Sequence, residues 1–427
     1  MKFQCYTLGC KVNQYETQAM EQQLLALGHT AGTDADDCDA YLINTCTVTA
    51  VADRKNRTLI RRLRREHPQA VIGVCGCYAQ VSAGEVEALG VDVVSGSGGR
   101  EAFVQLVLDA VRQKKAGQDA GQQVLLDDAM RRRAFESLPA GSLGTRTRAM
   151  LKVQDGCCNF CTYCIIPYAR GPVRSLPLAQ AVEQARALEG YREIVLTGIN
   201  LGSYCDGARR DPSATRLAGL LRRLLDATAD LHAPGAFPVR FRISSIEPRD
   251  VDDALVDLLA AADGRVCRHL HLPLQAGSSK VLREMARPYD ADRFRALVER
   301  LYAAVPGLAL STDVIAGFPG ETDAEFQETL ELARACRFAK MHAFPYSRRA
   351  GTPAAERPDQ VPPDIKAARA AALRALGDEL RAAERARRAG TVELALVEEG
   401  GVAMSESYFE LAASADAPVG SLVRMTL

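Results

Sequence analysis

"AMLKVQDGCCNFCTYCIIPYARG", residues 149–171, sets an apolar run before four cysteines crowded into eight positions: Cys157, Cys158, Cys161 and Cys164. The run AMLKVQ reads as a strand, so the thiols fall on the loop that follows it. Downstream, "EIVLTG", "VRFRISS", "RHLHLPLQ", "LALSTDVIAGFPG" and "AKMHAFPYS" are strand-like and are separated by segments of helical period. Six such βα units predict an incomplete barrel of the triosephosphate-isomerase type, with its chemistry at the carboxyl ends of the strands.

Two cysteine triplets compete on that loop. Cys158, Cys161 and Cys164 make C-x2-C-x2-C, the opening of a ferredoxin run, but the chain places Tyr168 and Ala169 where that run continues with C-P. Cys157, Cys161 and Cys164 make C-x3-C-x2-C and leave Cys158 as a small apolar residue. Thiolates select iron–sulfur clusters or zinc, and the histidine closest in sequence, His232, is too remote to suggest a Cys3His zinc site. Three ligands on a four-iron cluster leave one iron open, as a metal that binds a reactant requires.

Working outward, residues 1–115 alternate short apolar runs with amphipathic segments, which predicts an open parallel α/β sheet. Cys10 in "TLGCKVNQYET", Cys46 in "INTCTVT" and Cys77 in "VCGCYAQ" each follow a predicted strand, 36 and 31 residues apart. Loops at the carboxyl ends of a parallel sheet share one rim, so the three can converge there. The spacing equally fits buried cysteines, the reading given to Cys5, Cys38, Cys75, Cys205, Cys267 and Cys336. Asn13, Asn44 and Thr45 are short polar residues suited to the surrounding turns. Residues 116–147 are polar and glycine-containing and are expected as a linker, with the barrel at 148–364. Residues 365–427 read as an alanine- and charge-rich helix followed by a small all-β module.

The 427 residues suggest two or three domains, and the balance of 53 basic and 53 acidic residues gives no global sign of a nucleic-acid binder. RNA contact then rests on local patches: residues 53–67, "DRKNRTLIRRLRREH", with seven Arg or Lys, and the weaker Arg131–Arg133 run. The N-terminus lacks a charged-then-apolar signal, and no apolar run approaches the ~18–20 residues of a membrane span, so a cytoplasmic protein without membrane contact is expected. In that compartment thirteen cysteines point to metal ligation or catalysis rather than disulfides.

The triplet followed by "IIPYARG", within a six-unit βα series, resembles the radical S-adenosylmethionine (SAM) superfamily. The resemblance implies a 4Fe-4S cluster on Cys157, Cys161 and Cys164 whose open iron chelates SAM and whose electron cleaves it to a 5′-deoxyadenosyl radical. "GCKVNQYE", "NTC", "GCYAQ", "LTGINLGSY", "RISSIEP", "HLHLPLQAGSSKVLREMARPY", "TDVIAGFPGET" and "FPYSRRAGTPAA" resemble the methylthiotransferases over nearly the whole chain. "LGCKVNQYET" is most similar to those acting on threonylcarbamoyladenosine 37 in the tRNA anticodon loop. What this implies is an auxiliary 4Fe-4S cluster on Cys10, Cys46 and Cys77, a TRAM-like RNA-binding module at the end of the chain, and an electron donor such as flavodoxin or ferredoxin. It also implies C2 methylthiolation of the adenine, with no catalytic side chain beyond the cluster ligands. Thr197, Gly198 and Asn200 lie where the superfamily contacts the methionine part of SAM, while Ser244, Glu247 and Gln275 end later strands on the same rim. Within the family, isopentenyladenosine in tRNA or an aspartate of a ribosomal protein are the rival targets. In another class stands a non-catalytic RNA-binding protein holding a cluster or zinc.

Overall fold

The alternation in the first part of the chain folds as a parallel sheet in the computed structural model, which describes residues 1–33, 36–119, 121–139, 147–232 and 236–427. Strands β1 (Lys2–Thr7), β2 (Thr30–Ala31), β3 (Ala40–Thr45), β4 (Val71–Gly76), β5 (Val93–Ser95) and β6 (Gln123–Leu125) pair in parallel in the order β2-β1-β3-β4-β5-β6. Every residue of β3 and β4 is buried, because helices cover both faces and the strands carry near-continuous apolar sequence. Helices α1 (Lys11–Ala26) and α5 (Arg100–Lys115) pack Met20, Leu24, Phe103 and Val107 on one face. On the other, α2 (Ala50–Glu66), α3 (Cys77–Val81) and α4 (Ala83–Glu87) contribute Ile60, Leu63, Tyr78 and Val86. Each fully buried aliphatic or aromatic side chain of this kind stabilises the sheet by about 1.5–3 kcal/mol. β6 falls inside the 116–147 stretch expected as a linker and forms the edge of the sheet. Residues 120 and 140–146 of that stretch lie outside the described residues.

The chain divides into two compact units, Met1–Leu143 with Asp155–Cys158 and Cys164–Arg174, and Gly144–Gln154 with Asn159–Tyr163 and Ser175–Leu427. The cysteine loop is therefore shared, with Cys157 and Cys164 in the first unit and Cys161 in the second. The short helix α6 (Ile166–Arg170) belongs to the first.

In the second unit, β7 (Ala149–Lys152), β8 (Glu193–Thr197) and β9 (Arg240–Ile243) pair in parallel, as do β10 (His269–His271), β11 (Ala309–Ala316) and β12 (Lys340–Pro345). Parallel bridges Phe241↔Val266 and Ser245↔His271 join the two trios. The result is a series of six parallel strands, the expected partial (βα)6 barrel. Its outer helices include α7 (Leu178–Arg186), α8 (Leu217–Ala227), α9 (Asp253–Ala261), α10 (Ser279–Glu284), α11 (Ala291–Ala304) and α12 (Asp323–Cys336). In α8, Leu217, Leu220, Leu221 and Leu224 recur at helical spacing and are all buried. A capping box of Thr322 and Glu325 starts α12, and Arg337 in the left-handed region ends it.

After α13 (Pro363–Arg387) the chain forms the expected all-β module, an antiparallel sheet of β13 (Val392–Glu398), β14 (Val402–Ser405), β15 (Glu410–Ala412) and β16 (Leu422–Thr426) in the order β15-β14-β13-β16. It is fastened to the amino end of the barrel by buried charge. Glu193, the first residue of β8, pairs with Arg242 at 2.7 Å and Arg240 at 2.6 Å. Arg242 also donates to the carbonyls of Glu406 at 2.8 Å and Ser405 at 3.2 Å and lies over the Tyr408 ring. Burial alone pushes the Glu193 carboxyl up, but Arg242, Arg240 and Arg148 outweigh it and hold the group well below the usual carboxylate range. This ion network sits at the rim opposite the carboxyl ends of the strands, which leaves the latter open for chemistry. Among the described residues no helix is long and apolar enough to cross a membrane.

Candidate metal centres and the barrel rim

In the first unit, three adjacent strands deliver the three predicted thiols. Cys10 caps α1 just beyond β1, Cys46 directly follows β3, and Cys77 opens α3 directly after β4. Close approach of these loops depends on two glycines. Gly9 has φ +118°, and a Cβ there would meet Cys46 Cβ at 2.6 Å; Gly76 has φ +105°, and a Cβ there would meet the Thr45 carbonyl at 2.5 Å. Asn13 then ties the loops together, its Nδ2 donating to the carbonyls of Leu8 at 3.0 Å and Thr45 at 2.9 Å, with Cys10 Sγ 3.7 Å from its Oδ1. Asn56 Nδ2 holds the Cys46 carbonyl at 2.7 Å.

The three thiols lie close enough to influence one another electrostatically. Burial, reinforced by Cys77 and Cys10, pushes the Cys46 thiol up to about 12. Cys77 is likewise raised by burial, opposed by Arg170 and reinforced by Cys10. Arg170 is fully buried, and its Nε donates to Cys77 Sγ at 3.1 Å while Nη2 donates to Asn13 Oδ1 at 2.7 Å. Its positive charge is matched by the buried Glu16, which Arg170 bonds through Nη1 and through Nη2 at 3.1 Å, and which also accepts from Arg100 at 2.9 Å. Three soft donors gathered on one rim, with an arginine on one sulfur, suit a thiolate-bound cluster, whose assembly would displace the thiol protons.

On the cysteine loop, Cys158 is exposed, Cys157 and Cys164 are half-buried, and Cys161 is buried. Within the first unit the Cys157 amide donates to the Gly171 carbonyl at 3.0 Å. Within the second, Arg287 Nη1 donates to Cys161 Sγ at 3.1 Å. The same guanidinium pairs through Nη2 with Glu247 and donates from Nε to Tyr289 at 3.1 Å. Both cysteine sets therefore include a buried thiol that accepts from a buried arginine.

The barrel rim separates the remaining predicted residues into groups. Thr197 ends β8 and is buried; a Cβ on Gly198 would lie 2.8 Å from Gln154 Oε1, which also accepts from the Asn200 amide at 2.7 Å. Asn200 Nδ2 donates to Ser203 Oγ at 2.8 Å. Ser244 follows β9, and its buried Oγ has no hydrogen-bond partner among the described residues, which fits a rim that completes its bonding to a polar ligand. Glu247 is engaged by Arg287. Gln275 sits on the seam beside β11 at φ +66°, its amide donating to Asp313 at 2.9 Å and its carbonyl accepting from Ile315 at 2.8 Å.

Arg170, Arg287, Glu16 and Arg100 carry no local signal of their role in the sequence. The two arginines lie in quoted segments, "YARG" and "ARPY", but their meaning depends on partners 154 and 126 positions away. The basic stretch behaves differently along its length. On α2 a buried stripe of Asp53, Asn56, Ile60 and Leu63 leaves Arg54, Lys55, Arg61, Arg62 and Arg65 exposed, while Arg57 pairs with Glu85 and Arg64 with Asp92. In the Arg131–Arg133 run, Arg132 is consumed by Ser97 at 2.7 Å, Gln80 at 2.8 Å and Asp127 at 2.7 Å, and serves the fold of the first unit.

Residues 151–333 match the model of the Radical SAM superfamily, and residues 2–96 match that of Uncharacterized protein family UPF0004. Together with the partial barrel, the first match defines the class, a radical SAM enzyme. The radical S-adenosylmethionine methyltransferase TsrM of Kitasatospora setae, solved with cobalamin and a [4Fe-4S] cluster, shares the fold at a TM-score of 0.57 and 17% identity, over 83% of this chain and 77% of that one. The threonylcarbamoyladenosine tRNA methylthiotransferase MtaB of Bacillus subtilis is 43% identical over 88% of this chain and 80% of its own length. The tRNA-2-methylthio-N(6)-dimethylallyladenosine synthase of the same organism is 35% identical over 93% of this chain and 76% of its own. The chain belongs to the radical SAM methylthiotransferase family.

Proposed function

We propose that this enzyme methylthiolates C2 of N6-threonylcarbamoyladenosine 37 in tRNA, in the cytoplasm, using SAM and two 4Fe-4S clusters. One cluster is assigned to Cys157, Cys161 and Cys164, the other to Cys10, Cys46 and Cys77. The observation that carries the reading is the gathering of Cys10, Cys46 and Cys77 at the ends of three adjacent strands, with Arg170 on the Cys77 sulfur. When bound, the clusters and SAM supply the one-electron cleavage and the sulfur that acid–base side chains cannot.

This chain's own residues then have distinct tasks. Arg170 and Arg287 each place a positive charge beside a ligand sulfur, and Asn13 fixes the loop that carries Cys10. Thr197, Gly198, Asn200, Ser244, Glu247 and Gln275 form the rim that receives SAM, Ser244 offering a buried hydroxyl without a hydrogen-bond partner among the described residues. Exposed Arg54, Lys55 and Arg61 on α2, together with the terminal β module in the role of a TRAM domain, serve the RNA backbone. A small redox protein, flavodoxin or ferredoxin, delivers the electron.

Preference for the threonylcarbamoyl over the dimethylallyl nucleoside is supported by the higher identity to the relative named for the former. The test is anaerobic turnover with SAM and dithionite on two tRNAs that differ only in the adenosine-37 modification, with mass spectrometry of the nucleosides. Methylthiolation of the threonylcarbamoyl tRNA is expected. Product only from the dimethylallyl tRNA would overturn the assignment.

A further inference from the structure

On the barrel wall, three side chains outside both cysteine sets converge. His271 ends β10, Asp313 lies in β11 and His342 in β12, and one donor atom from each lies within 4.8 Å of the other two. The strand register produces this. His271 is paired with Ser311 and Asp313 with His342, and because side chains alternate along a strand, Ser311 and Asp313 share a face. All three groups are half-buried, open enough to reach and sheltered enough to hold a ligand.

We propose that His271, Asp313 and His342 bind a divalent transition-metal ion, with His271 Nε2, an Asp313 oxygen and a His342 ring nitrogen as ligands. Two imidazoles and one carboxylate form a donor set that suits zinc, iron(II) or manganese and leaves coordination positions for water or an oxygen donor. Metal bonds of about 2.0–2.1 Å place tetrahedral ligand atoms about 3.3 Å apart. His271 Nε2 and Asp313 Oδ2 already lie 3.2 Å apart, so only the His342 side has to close. The orientation of His271 is set from behind: its Nδ1 lies 2.9 Å from Ser311 Oγ, which directs Nε2 to the site. Ser311 is in turn held by His269 Nε2 at 2.9 Å. Ligation requires an unprotonated Nε2, so metal binding would release any proton that nitrogen carries. The site lies wholly within the second unit and does not depend on the assignment of the clusters or of the substrate.

The test uses the full-length protein with its clusters reconstituted, so that thiols do not compete, and Mn2+ as the probe. Titration followed by EPR is expected to show saturable binding, and pulsed EPR nitrogen hyperfine coupling from histidine. His342→Gln and, separately, Asp313→Asn should each weaken binding about tenfold or more, with iron content and thermal unfolding unchanged. His67→Gln, which alters the His67–Asp37 pair in the first unit, should leave it unaffected. Absence of saturable Mn2+ binding, absence of nitrogen coupling, or equal affinity in wild type, H342Q and D313N would overturn the proposal and leave a plain His–Asp contact.

Discussion

At the scale of single residues, the account divides the cysteines by role and the arginines by partner. Cys157→Ala should abolish the cluster on the barrel loop, whereas Cys158→Ala should leave iron content and visible absorption intact, since Cys158 is exposed and spare in the C-x3-C-x2-C reading. The reverse result would restore the C-x2-C-x2-C triplet. Arg170→Met should cost about 3–5 kcal/mol in chemical denaturation of the unreconstituted protein, because it removes a buried guanidinium from the fully buried Glu16, which Arg100 also engages. An unchanged midpoint would show that the network is not needed for stability. The candidate cysteines were visible in the sequence, but spacing alone left two triplets open on the barrel loop and buried thiols as an equal reading of Cys10, Cys46 and Cys77. Arg170 and Arg287 were not legible, since nothing local distinguishes a buried guanidinium from a surface one, and their partners are fixed only by the tertiary fold.

Among elements, legibility followed burial. β3 and β4 are apolar on both faces, so "AYLINT" and "VIGVCG" announce central parallel strands. β6, with "QVL" at a half-exposed edge inside a polar stretch, carries no such signal, and the segment reads as a linker instead. The α2 helix shows why a charge run must be resolved residue by residue: Arg57 and Arg64 are spent on Glu85 and Asp92, while Arg54, Lys55 and Arg61 face solvent. Replacing those three with glutamate should weaken tRNA binding about tenfold or more and flatten the dependence of log affinity on log salt by about 2–3. Filter binding across a salt series checks this; an unaltered slope would remove α2 from the RNA surface.

Across the whole molecule, the buried charge network and the proposed SAM site lie at opposite ends of the barrel. Glu193 and its arginines join the amino end to the terminal β module, whereas the predicted SAM residues lie at or beyond the carboxyl ends of β8, β9 and β10. Glu193→Ala should therefore lower stability by about 3–5 kcal/mol, with 5′-deoxyadenosine formation per folded molecule preserved at low temperature. The central claim is that the chain holds two independent clusters, each on its own cysteine trio. Iron and sulfide quantification with Mössbauer spectroscopy, on anaerobically reconstituted protein, tests it most directly. Wild type should hold about eight irons per chain, and Cys10/Cys46/Cys77→Ala and Cys157/Cys161/Cys164→Ala about four each, all as 4Fe-4S. Full iron content in the first triple variant, or zinc in place of iron in wild type, would contradict the account.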